Sequence, residues 1–383
     1  MTRFAFFISR HRCPAAARSA SLSSAGDDTI VLFKKCLAAL VATVAVGTGT
    51  FAASAQTTTT YTPLWGKIAG WTTPTRIDVT RELESISCPS MWFCFAVDSE
   101  GHALTFITNN DTWSGPLKID PAGLASISCP PIINDAHPTF CVAVGVLGIV
   151  TYTNGIWGAP AEQPVMLDKI SCATSTFCVA VGEMGFHGDA MIYSGGSWQP
   201  ISIEKKLSRA ELTSVSCVSA AFCAAVDTGG RATTYSGGTW SSPTLIDQYR
   251  GSHLALLSVS CAATTFCVAV DEIGRALTFD GTSWGRPVPM KIVRAGGPAS
   301  ISCPAPHICD VVYNDGELLA LGGNATSPAW SDLGMLDSEG FVPSGSTLSC
   351  PTITFCAAVD ADGAYVYHPK PGPLPNPPAQ RLM

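Results

Sequence analysis

Fourteen of the 16 cysteines fall into seven pairs: Cys88/Cys94, Cys129/Cys141, Cys172/Cys178, Cys217/Cys223, Cys261/Cys267, Cys303/Cys309 and Cys350/Cys356. Six pairs enclose five residues, and the second carries an insertion at 131–138. Their first members follow one another at intervals of 41, 43, 45, 44, 42 and 47 residues. A near-constant period in the forties marks a repeat array, whose units bury their apolar faces only against one another. Aligned on the cysteines, the unit reads S-[IV]-S-C-x4-F-C-x-A-V-D-x-x-G. A short run ending in Tyr or Phe follows, then a Gly-containing turn and Trp. The copy at 214–240 is nearly repeated at 258–284.

Each unit divides into four short strands. The first runs to the Ser-Cys and the second is the F-C-x-A-V stretch. D-x-x-G turns into a third, such as residues 275–279, and a Gly-rich turn leads to Trp and the fourth. β-branched and aromatic residues fill these runs, turn residues bound them, and no segment keeps a helical period over a helix length. Four strands in about 44 residues make a propeller blade. Apolar residues take both parities of F-C-V-A-V, as a sheet packed on both faces requires.

The ends supply an independent check. Trp71, Trp113, Trp157, Trp198, Trp240, Trp284 and Trp330 each open a fourth strand, yet the first precedes any cysteine pair and the last cysteine unit has no Trp. Residues 71–78 (WTTPTRID) echo 240–247 (WSSPTLID). The N-terminal strand should therefore complete the blade begun by residues 347–368, closing the ring and removing its open edge. The expected fold is all-β: a seven-bladed β-propeller of four-stranded blades spanning 56–368, with one disulfide per blade.

Residues 31–55 have the pattern of a signal peptide: Lys34 and Lys35, an apolar run from Cys36 to about Gly47, then Ala53-Ser54-Ala55. The run is short for a membrane span. Cys36 lies at its start rather than at the cleavage end, which argues against a lipoprotein. The expected product is secreted, begins near Gln56 and keeps no stable membrane span; an uncleaved anchor is the alternative. Residues 1–30 read as a non-native or leader extension, and 369–383 as a Pro-rich tail. The formal charge of −7 becomes −11 once residues 1–55 are removed, which argues against nucleic-acid binding through phosphate neutralisation. Hydrophobic residues at 46% argue against wholesale disorder.

Export supplies an oxidising compartment, and a cysteine pair flanking a strand-to-strand turn suits a disulfide. Zinc cysteines usually stand two to four residues apart. The seven pairs are therefore expected as disulfides, each worth roughly 2 kcal/mol by loop-closure entropy.

The D-x-x-G turns place Asp98, Asp227, Asp271 and Asp360 at equivalent positions on the face that carries the inter-blade connections, with Gly145, Gly182 and Tyr313 in the other blades. Such a ring could bind Ca²⁺, sugar hydroxyls or a cationic partner; because three blades lack the Asp, the preferred reading is that Asp starts a turn that Gly finishes. No other metal or cofactor is implied. A second acid recurs after the Trp, at Asp78, Asp120, Asp168, Asp247 and Asp337, and reads as capping. Arg231 and Arg275 follow two of the D-x-x-G turns, in position to pair with neighbouring acids. Trp92 belongs to no repeat position and, if exposed, would stack on a sugar or contact a partner. Asn110 and Asn324 open formal glycosylation sequons, which carry little weight in a bacterial host.

Three turns, ending at Trp198, Trp240 and Trp284, resemble the Asp-box (BNR) repeats of sialidase-like propellers in their Gly-x-[Ser/Thr]-Trp part. The Asp that names that box is replaced by Tyr193, Tyr235 and Phe279. The resemblance implies a propeller and not sialidase chemistry, which needs an arginine cluster and a Tyr nucleophile. No H-E-x-x-H or P-loop is present. The expected function is that of a monomeric, secreted, non-catalytic binding module for glycans or a surface protein. The alternative is an extracellular hydrolase or lyase with acids at the central channel, where Glu100, Glu183 and Glu272 would be the first suspects.

Overall fold

The computed structural model describes Trp71, Ile77 and residues 82–367, less 109–110, 133–136, 147, 164–165, 184–187, 204–209, 291–296, 325–326, 337–346 and 361–362. The expected signal peptide, the extension before it and the Pro-rich tail lie outside the described residues. Seven antiparallel sheets of three to five strands follow one another in chain order, from Leu83 to Tyr367. Each is one blade. The first strands are Leu83–Ser90, Leu124–Ser128, Met166–Thr174, Leu212–Ser219, Leu256–Ala263, Pro298–Ala305 and Thr347–Thr352. Each touches the first strand of the next blade, and the seventh touches that of the first, so the array is a closed ring. No helix among the described residues is long and apolar enough to cross a membrane.

A first strand pairs only with the second strand of its own blade. Alternate N–H groups along its other edge therefore need acceptors from outside the sheet. The S-[IV]-S-C motif provides them from the neighbouring blade. Ser85 Oγ accepts from the Ile127 amide at 3.2 Å, and Ser87 Oγ from the Cys129 amide at 2.9 Å. The same two bonds run from Ser126 and Ser128 to Ile170 and Cys172, and from Ser214 and Ser216 to Val259 and Cys261. They recur from Ser258 and Ser260 to Ile301 and Cys303, and from Ser300 and Ser302 to Leu348 and Cys350. Thr347 and Ser349 complete the circuit to Ile86 and Cys88. Between the third and fourth blades Lys169 replaces the first serine of the motif, and Ser171 Oγ accepts from the Cys217 amide at 2.9 Å.

The second strands of five blades are buried along their whole length, for example Phe93–Asp98, Phe222–Asp227 and Phe266–Asp271, whereas in the sixth Ile308 and Asp310 are partly exposed. All seven expected disulfides are formed. Six tie the two ends of the turn between first and second strands, and the second spans the longer insertion. Each disulfide packs in the cluster it shares with the blade before it.

Each Trp that opens a fourth strand lies opposite the last large side chain of the third: Phe106 with Trp113, Tyr152 with Trp157, Tyr193 with Trp198, Tyr235 with Trp240, Phe279 with Trp284 and Leu321 with Trp330. The aromatic pairs lie 5.1–5.4 Å apart between ring centroids, in tilted arrangements. Pro116, Pro160, Pro243 and Pro287 then interrupt the outermost strand, where a missing N–H faces outward and discourages edge-to-edge pairing. Trp71 makes an antiparallel bridge to Tyr367, with the rings 5.6 Å apart. It is buried beside Leu348, Tyr365 and the Cys350–Cys356 disulfide. Trp71 thus stands at the outer edge of the seventh blade, beside its last strand.

Candidate interaction site

On the face that carries the inter-blade connections, each D-x-x-G turn is built around its own carboxylate. Asp98 Oδ1 accepts from the amides of Glu100 (3.0 Å) and His102 (2.7 Å), and Oδ2 meets His102 Nδ1 at 2.8 Å. Asp227 Oδ1 accepts from the Gly229 and Arg231 amides, while Oδ2 pairs with the Arg231 guanidinium at 2.7 Å. Asp271 repeats this with Ile273 and Arg275. Asp360 accepts from Gly363 and from the Tyr365 hydroxyl. The Gly that ends the turn is required by packing. At Gly101, φ is +89°, and a Cβ would stand 2.2 Å from the Asp120 carbonyl oxygen. The Gly101 carbonyl in turn accepts from the amides of Ile119 and Asp120.

All four aspartates are buried, at 0–7% exposure, and their oxygens are occupied inside the turn. They are not displayed as an open ring of ligands. Arg231 and Arg275 pair with the acids beside them as the spacing implied.

Trp92 differs from expectation. It is 5% exposed and lies within the fold, its amide donating to Ser90 Oγ, so it offers no surface for stacking. Of the recurring second acids, Asp120 and Asp247 are buried. Asp120 caps the Ala122 amide, whereas Asp168 is exposed and sits in the first strand of the third blade, at a break in the register. Asp78, Asp337 and Asn110 lie outside the described residues, as does the side chain of Glu183. Glu100 and Glu272 are exposed on turns of the first and fifth blades.

Asp310, Cys350 and Cys356 are the single close grouping of metal-capable side chains among the described residues. Both cysteines are spent in a disulfide and cannot ligate.

Among the described residues, the repeat is broken on this face between the fourth and fifth blades. There Gln248–Tyr249 and Ser252–His253 form a two-stranded hairpin of their own. Its turn residues, Arg250 and Gly251, have φ of +52° and +85°, the sign that a two-residue primed turn needs at both positions. Tyr249 is 44% exposed. The guanidinium carbons of Arg250 and Arg275 lie 5.1 and 5.4 Å from its ring centroid, a cation–π arrangement that fixes the ring.

Beneath the hairpin, Arg275 bridges two buried carboxylates. Its Nε donates to Asp271 Oδ2 at 2.5 Å and its Nη2 to Asp247 Oδ1. Burial pushes the Asp247 carboxyl up to about 6, the neighbouring Asp271 adds to the rise, and Arg275 opposes it. Sequence reasoning missed the hairpin. The available signal was the spacing from Asp247 to Leu256, which is longer than from Asp120 to Leu124.

A pH dependence follows. Burial also pushes Asp310 up to about 6. Both acids therefore keep a proton in the folded state at pH values where the unfolded chain has released it. Their contribution is full below about pH 4 and is lost as pH rises through about 6. The melting midpoint should be higher near pH 5 than near pH 7.5, and Asp247→Asn should narrow the gap. Calorimetry at the two pH values checks this, and a higher midpoint at pH 7.5 would contradict it.

No family model and no curated protein matches this sequence. Solved propellers do match in structure. YCF48 from Cyanidioschyzon merolae is 14% identical, with 79% of this chain and 99% of that chain covered and a TM-score of 0.58. YCF48 bound to a D1 peptide is 14% identical, with 78% and 95% covered and a TM-score of 0.59. The WD40 repeats of RRP9 are 7% identical, with 78% and 99% covered and a TM-score of 0.59. At these identities the likeness is one of fold.

Proposed function

We propose that this chain is an exported, non-catalytic interaction module that holds a peptide segment of a partner protein on the face bearing the inter-blade connections. The carrying observation is the hairpin at 248–253. It presents an exposed aromatic ring already fixed by two guanidinium groups, so binding orders little that is not ordered beforehand. Tyr and Arg are the residue types that dominate protein contacts. Arg250 and His253 are exposed there, and the exposed guanidinium favours an acidic side chain of the peptide at this point. The peptide-bound YCF48 structure supports this reading through a similar fold. Seven disulfides suit an oxidising compartment, in keeping with the expected signal peptide at 31–55. The glycan reading leaned on Trp92 and the aspartate ring, and the fold uses both internally.

Selection of a displayed random-peptide library on the oxidised protein, run beside a glycan array, tests the reading. The expected result is enrichment of acidic peptides whose binding weakens at least about tenfold in Tyr249→Ala, with the melting midpoint unchanged. Glycan retention without peptide enrichment would overturn it.

A further inference from the structure

The residue after the second cysteine of each blade faces the disulfide of the next. Phe95 shares a cluster with Cys129 and Cys141, Val142 with Cys172 and Cys178, Val179 with Cys223, Ala224 with Cys267, Val268 with Cys303 and Cys309, and Ala357 with Cys88 and Cys94. Six of these contacts are apolar. In the sixth blade the same position is Asp310, and its Oδ2 lies 3.7 Å from Cys350 Sγ and 3.6 Å from Cys356 Sγ. A disulfide has no hydrogen to donate, so this contact is favourable only when the carboxyl carries the proton. Burial raises the carboxyl in that direction. Cys356 also differs from its counterparts: it is 5% exposed, whereas the second cysteine of every other pair is 0% exposed. Cys217 and Cys261 are more exposed as first cysteines, but Val179 and Ala224 face those two bonds.

We propose that Cys350–Cys356 is a thiol–disulfide exchange site for a dithiol reductant, with Asp310 as its proton donor and acceptor. An incoming thiolate forms a bond to one sulfur, and the Cys350–Cys356 bond breaks. The leaving sulfur takes the electron pair and receives the Asp310 proton. Oδ2 is almost equidistant from both sulfurs, so either can leave. The second thiol of the reductant then attacks the reductant's own sulfur in the mixed disulfide. The bond to the protein cysteine breaks, and that cysteine leaves with the electron pair and takes up the proton the second thiol gives up. The reductant ends as a disulfide, Cys350 and Cys356 as two thiols, and Asp310 regains its proton from solvent. In the reverse exchange the oxidant is the disulfide form of the same dithiol. A deprotonated Asp310 takes the proton from a cysteine thiol, and the resulting thiolate attacks one sulfur of that disulfide. The other sulfur leaves with the electron pair and takes a proton from solvent, and the remaining cysteine then displaces the reductant as a dithiol. The bond lies in the cluster that holds Trp71, so exchange there acts on the closing strand of the ring.

The six other disulfides are internal controls. The oxidised protein is treated with dithiothreitol near pH 6.5, quenched in acid over time, and alkylated so that mass spectrometry reads each pair. Cys350–Cys356 should open at least about tenfold faster than the other six, as positioned acid catalysis allows. Asp310→Val restores the residue type of the other blades and should slow this pair alone to their rate. Asp310→Asn keeps the shape but has no acidic proton, and should also slow it. Loosened packing alone would accelerate opening in these variants, the opposite sign. A wild-type rate within twofold of the other six, or unchanged rates in both variants, would overturn the proposal.

Discussion

Arg275→Ala is expected to destabilise the protein by about 3–5 kcal/mol near neutral pH, the usual cost of removing one partner from a buried ion pair. Its side chain is 11% exposed, and those of Asp247 and Asp271 are 0% exposed. Without the guanidinium, two carboxylates face one another with no counter-charge. One of them can escape the penalty by taking a proton, and Asp247 is already raised toward doing so. The loss should therefore shrink near pH 5, a signature that lost packing would not give. Arg275→Lys should restore little, because a single ammonium cannot direct separate N–H groups at two carboxylates. Urea unfolding at both pH values is the measurement. A pH-independent loss below about 1 kcal/mol would show that the bridge contributes nothing.

Trp71→Ala should cost about 3–5 kcal/mol, as expected for a large aromatic removed from a core. The ring is 8% exposed and packs on Tyr367, Leu348 and Tyr365. Truncating it opens a void in the one blade whose strands come from both ends of the chain. The damage should be local at first. Limited proteolysis is expected to cut the seventh blade before the others, whereas wild type resists throughout. Cleavage scattered evenly among the blades would contradict this account of closure.

The ring was legible because the constraint repeats. Cys217 and Cys223 predict little alone, but the same spacing in six of seven copies, with Trp240 at the end of one and Trp71 stranded before the first, leaves one closed arrangement. Other features were not legible, for physical reasons. Ser85 and Ser87 read as strand residues, yet their hydroxyls bond the amides of Ile127 and Cys129 in the next blade, and spacing within a unit encodes no contact between units. The number of D-x-x-G turns could be counted, but nothing in the residue order says whether an Asp turns inward to its own amides or outward to a ligand. Trp92 stands outside the pattern, and a position without repeat partners gives no sign of whether its side chain points inward or outward. Asp310 occupies an apolar position in a copy that also departs from the motif at Ile308, Val311 and Tyr313, and its meaning depends on the disulfide of a different blade.

The bridge from Trp71 to Tyr367 also constrains the order of assembly. Contacts between residues so far apart in the chain carry a large loop-closure cost and form late. Six blades can hydrogen-bond in sequence as they emerge, each on the serines of the one before. The seventh waits for both termini. Until they meet, the growing arc ends in an unpaired strand, which is the state most open to association with another chain. Slow refolding is therefore expected to be limited by this final join rather than by any blade.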